Sequence, residues 1–85
     1  MAEKAIGKIA NYFSRIGVAV IEVTDEPLRV GDKIRIKGNI TDLTMQVESL
    51  QIEHQQVDQV EVGESAGLKV SEVVKSNDVV YKVTD

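Results

Sequence analysis

Three sets of side chains in this chain have types and spacings that could do chemistry. Gly63-Glu64-Ser65-Ala66-Gly67 has the spacing of a nucleophile elbow, in which a sharp strand-to-helix turn lifts a serine hydroxyl toward an acyl carbon. His54, the single histidine, has the imidazole of a general base or a metal ligand, and Asp25 with Glu26 makes a carboxylate pair. Lys33, Arg35 and Lys37 alternate with Ile34 and Ile36, so on a strand the three cations share one face and reach for successive phosphates.

The surroundings of each set decide what to expect of it. After the elbow glycine, Ala66, Leu68 and Val70 alternate as a strand does, where the elbow demands a helix. The histidine precedes the serine, although in that fold it comes last, and 85 residues cannot build the sheet the elbow needs. A glycine turn entering a strand is the expectation. His54 beside Glu53 lacks the convergent ligands of a metal site and the orienting partner of a base, so it reads as a surface or interface histidine. Asp25 and Glu26 lie in the turn cluster Thr24-Asp25-Glu26-Pro27. The reading is of a non-enzyme with no catalytic, metal or cofactor residue. Lys33, Arg35 and Lys37 are the binding candidates, set against the ordinary service of exposed strand lysines, which is to block edge aggregation.

The elements that must position these residues are strands. Leu28 to Gly38 reads as a glycine turn followed by a half-buried strand with Ile34 and Ile36 inward. Ile6 to Phe13 carries apolar residues on both parities, and Val18 to Val23 is so continuously aliphatic that it reads as a central strand buried on both faces. Leu43 to Val57 fits either a helical stripe or strands broken by a bulge near Glu48-Ser49, and strand is the expectation because tertiary context often overrides local preference in short segments. Gly63-Glu64-Ser65 and Asn77-Asp78 then introduce two more strands. One all-β domain over residues 1–85 follows: a small closed or nearly closed, mainly antiparallel barrel of about six strands.

Composition narrows the function further. The chain has no cysteine, which removes disulfides and thiolate chemistry and points to the cytoplasm. No basic flank with an apolar run opens it, and no stretch is long enough to span a bilayer, so neither secretion nor a membrane role is expected. Net charge is −4, but residues 1–42 sum to +1 and residues 43–85 to −5, a dipolar distribution that leaves room for a local anion contact. Tyr12, Phe13 and Tyr81 are the aromatics, fewer than a base-stacking platform uses.

Taken together, Gly17-Val18-Ala19-Val20, Leu28 to Gly38, Val47-Glu48-Ser49, Val62 to Leu68 and Asn77 to Val80 resemble the second-domain β-barrel of translational GTPases of the elongation factor Tu kind, and small free-standing translation elongation factor-like proteins. That resemblance implies a binding module in protein biosynthesis that contacts ribosomal RNA, tRNA or a translation protein. Val47-Glu48 matches part of a Val-Glu-Met strand motif whose glutamate sits beside the terminal adenosine of tRNA, so Glu48 is the residue carried over; Ser49 replaces the methionine. No phosphate-cradling Gly-x-x-x-x-Gly-Lys loop is present, so the module would not bind GTP by itself. A related barrel also ends some U32-type peptidases, and implies the alternative: an accessory protein-docking module with no RNA role.

Overall fold

The computed structural model describes residues 2–84, and within them every paired strand is antiparallel. Ten strands form in chain order: β1 (Ala2–Phe13), β2 (Val18–Val23), β3 (Leu28–Arg29), β4 (Lys33–Lys37), β5 (Asp42–Gln46), β6 (Leu50–Ile52), β7 (Gln55–Val57), β8 (Gln59–Val60), β9 (Ser65–Lys69) and β10 (Val79–Thr84). Eight make one sheet in the order β5-β4-β10-β1-β2-β9-β6-β7, and β3 with β8 makes a separate ribbon. The all-β, antiparallel expectation holds. The closed six-stranded barrel does not: the large sheet is open, because no ladder joins β5 to β7 among the described residues.

The open sheet nevertheless wraps one core. Leu43 at one end and Leu50 near the other are buried in the same cluster as Ile6, Ile9, Ile21 and Ile36. The β3–β4 turn ties the wrap together, since Gly31 N–H donates to Val47 O at 2.8 Å and Val47 N–H to Asp32 O at 2.8 Å. Gly31 holds φ of +98°, open to glycine at little steric cost, and the Asp32 carboxylate accepts from Arg29 N–H at 2.9 Å to close the turn.

Local chemistry explains three features that periodicity left unresolved. In β1 the register against β10 shifts between Ala5 and Gly7, and against β2 between Ile9 and Asn11. Each bulge spends one residue without a partner and reverses the parity, which is how Ile6 and Ile9, three apart, are both fully buried. Residues 42–57 are strands, yet the break at Glu48-Ser49 is a connection between β5 and β6 rather than a bulge, and it carries the chain from one end of the sheet to the strand beside β7. Glu53 and His54, with φ of 51° and 66°, form the two-residue turn between β6 and β7, where a hairpin of this hand needs positive φ at both central residues.

Candidate functional site

The outer surface of the sheet has two contrasting faces, and the candidate cations occupy one of them. Cross-strand pairing places Lys8, Val79, Lys37 and Asp42 in one row and Ala5, Tyr81, Arg35 and Thr44 in the next. Ile34 and Ile36 turn inward with no exposure, so the structure brings Lys33, Arg35 and Lys37 to one face as the alternation requires. They do not act as three free charges. Arg35 donates from Nε to Asp42 Oδ1 at 2.8 Å and from Nη2 to Asp42 Oδ2 at 2.7 Å, a bidentate pair. Its Nη1 donates to Glu3 Oε2 at 3.1 Å, crossing the intervening strand β10.

These contacts set the electrostatics. Hydrogen bonds from the guanidinium hold the Asp42 carboxyl below the ordinary carboxylate range, against the opposing effect of partial burial, with the charges of Arg35 and Lys37 adding to the shift. The same hydrogen bonds, first to Asp42 and then to Glu3, push Arg35 further above its already high value. The middle of the cationic row is therefore matched by two carboxylates, while Lys33 and Lys37 form no ion pair among the described residues. Beyond Lys37 a cleft of about 550 Å³ opens between Gly38–Ile40 and the turn at Lys75–Asp78, whose Asp78 carboxylate is turned in to accept from Lys75 N–H at 2.9 Å.

The remaining sequence candidates fall apart on position. Ser65 begins strand β9 opposite Glu22, behind Gly63 at φ +90°, so the pentapeptide is a turn entering a strand and lacks the helix of an elbow. His54 sits exposed at the β6–β7 turn, and no group of three or more potential metal ligands gathers among the described residues. Glu48 is exposed in the β5–β6 connection, off any strand, so it cannot present its carboxylate from a strand face as the carried-over role requires.

The second face was missed by sequence reasoning. In β2 only Ala19, Ile21 and Val23 are buried; Val18 and Val20 point outward and are partly exposed, which corrects the expectation of a strand covered on both sides. Their rows run Phe13, Val18, Lys69 and Asn11, Val20, Gly67, Gln51. Phe13 is 46% exposed and Ile16, in the preceding turn, 66%. Phe13, Ile16, Val18, Val20 and Gly67, with Gln51, Glu53 and His54, line a groove of about 260 Å³. A signal was present: aliphatics at both parities of residues 18–21, closely preceded by Phe13 and Ile16.

No family model matches the chain. Sequence similarity nevertheless runs along nearly all of it to much longer proteins. It is 36% identical over 77 residues to an uncharacterized protease of Methanocaldococcus jannaschii and 37% identical over 78 residues to a collagenase of Porphyromonas gingivalis, covering 89% and 91% of this chain. It spans only 19% and 22% of those relatives. In fold it is similar to the C-terminal domain of a Geobacillus thermoleovorans protein assigned to the U32 peptidases, with a TM-score of 0.87, 19% identity, and coverage of 95% of this chain and 93% of that one. The selenomethionine form of that domain gives 0.84, covering 91% and 96%. These likenesses overturn the translation-factor reading and the RNA, tRNA and ribosome contacts that came with it. The motifs behind it were glycine turns before aliphatic strands, which any small antiparallel sheet of this kind requires.

Proposed function

We propose that the chain is a non-enzymatic, cytoplasmic docking module that works alongside a U32-type peptidase, the alternative implied by the second resemblance. One observation carries this reading. Some 77 or 78 residues are shared at 36–37% identity over nine-tenths of this chain, yet they make up only about a fifth of proteins named protease and collagenase. A segment that is a minor part of a large enzyme is suited to contact with the rest of it. The wrapped sheet and its single core supply the rigid scaffold such contact needs.

The test uses the Porphyromonas gingivalis collagenase. The purified chain alone is expected to leave gelatin and casein uncut. Deleting the matching 78-residue segment from the collagenase should lower its activity or thermal stability, and fusing this chain in its place should restore part of the loss. Cleavage by the isolated chain, or a deletion without effect on either property, would overturn the proposal.

A further inference from the structure

We infer that the outer face of β2 and β9, the groove between Phe13, Ile16, Val18, Val20 and Gly67, is the docking face, and that its occupant is an apolar segment of the large polypeptide making up the other four fifths of the peptidase relatives. The inference rests on the docking reading above and adds which surface makes the contact.

The composition of the two outer faces supports it. An antiparallel strand with water on one side alternates apolar and polar residues, and β4 obeys this with Lys33, Arg35 and Lys37 outward. β2 breaks the rule at Val18 and Val20 while holding a central place in the same sheet. Phe13 at the end of β1 and Ile16 in the β1–β2 turn line the same groove, so the exposed apolar residues are contiguous rather than scattered, and contiguity is what marks an interaction surface. Polar groups sit at the edges of this patch: Lys69 pairs with Val18, and Glu53 and His54 line the groove from the β6–β7 turn. An apolar centre with a polar rim is the anatomy of a protein interface.

Gly67 shapes the groove. It lies in the row between Val20 and Gln51, so the absent side chain leaves a trough across the sheet. A Cβ there would stand 3.3 Å from Val18 Cγ1, so even alanine would crowd the wall, and a larger residue would fill the space. On the far side the hairpin turn at Glu53-His54 holds two non-glycine residues at positive φ and forms the opposite wall. The groove suits an aliphatic or aromatic side chain entering from a partner.

The occupant follows from what the relatives add. In each of them this segment is joined to a polypeptide about four times its own length, so an intramolecular partner is present at high effective concentration and a modest patch is enough to hold it.

The graft described above decides the matter when made in three forms: wild type, Val20→Lys, and Phe13→Ser. Both positions face outward, and circular dichroism of the isolated chains checks that each variant keeps its β spectrum. The wild-type graft should melt in one transition with the rest of the collagenase. Either variant should split the module into its own transition and raise cleavage at the junction by trypsin about tenfold or more, as loss of a central interface residue does. Lys33→Gln with Lys37→Gln, on the outer side of β4 and separated from β2 by β10 and β1, should change neither readout. If both groove variants behave as wild type while the wild-type graft melts as one unit, docking occurs through another face and this inference fails alone. Separate melting of the wild-type graft would overturn the docking reading together with it. Sedimentation of the isolated chain adds a last arm: a dimer that Val20→Lys converts to monomer names a second copy as occupant, and the peptidase partner is then wrong.

Discussion

The outer faces of β4 and β2 lie on one sheet, with β10 and β1 between them, and solve the problem of solvent exposure in opposite ways. On β4 the inward isoleucines are backed by charged residues, and the central one, Arg35, is satisfied by Asp42 and Glu3 within the chain. On β2 the inward residues Ala19, Ile21 and Val23 are backed by Val18 and Val20, which the chain covers only in part. A conspicuous row of charge can thus be internally spent, while a strand that looks like core in one dimension can be the surface left open. Charge draws the eye in a sequence; its neutralisation is visible only across strands.

The largest expected effect tests whether β2 really has one buried and one free face. Ile21 has no exposure and packs between Ile9 and Ala66 in its row, so Ile21→Ala should cost about 2–5 kcal/mol through lost transfer energy and the cavity left behind. Val20→Ala, one residue away, should cost under about 1 kcal/mol, because its side chain is only partly covered and strand preference is the main loss. Urea unfolding of the two variants reads the difference directly. Equal costs would mean that Val20 is core and that the contrast between faces is unreal.

A smaller effect separates the cations of β4. Arg35→Gln removes a bidentate pair and a contact to Glu3, whereas Lys33→Gln and Lys37→Gln together remove two charges that make no direct ion pair among the described residues. The single arginine change should lower Tm by more than the double lysine change, and the gap should narrow as sodium chloride rises, since exposed pairs are screened. An arginine variant as stable as the double lysine variant would show that the bridge is idle.

How much of this was legible beforehand differs by element. The strands at 18–23 and 33–37 were readable because aliphatic runs and strict alternation are local signals, and the turns at Gly31, Gly63 and Asn77 because positive φ selects their residues. The second face of β2 was not, since whether Val18 and Val20 are covered depends on Gly67 and Gln51, which are distant in the chain and adjacent only after pairing. The same holds for Arg35, whose partner Glu3 lies 32 residues away. The open sheet escaped for a related reason: alternation counts strands but says nothing about whether the first and last of them pair. Glu48 looked like a strand residue because Val47-Glu48 matched a dipeptide, and a dipeptide carries no record of where a strand stops.

The smallest effect is a pH dependence confined to the charged face. Asp42 has its folded-state pKa held below the usual carboxylate range, chiefly by the hydrogen bonds from Arg35, so folding favours its charged form. A depressed pKa contributes stability that is fully present above the unfolded value of about 4 and is lost as pH falls from there through the folded value. Arg35 stays charged throughout, so the bridge weakens in acid only by protonation of its carboxylate partners. Melting curves from pH 7 down to pH 2 should therefore show wild type above Asp42→Asn at neutral pH, with the two converging as acid removes from wild type what the mutation has already removed. Val20→Ala supplies the contrast, because Val20 carries no ionisable group and takes part in no ion pair: its offset from wild type should change less over the same range than that of Asp42→Asn. A gap between wild type and Asp42→Asn that does not close by pH 2 would mean that Asp42 contributes through packing and that its pairing with Arg35 adds no stability of its own.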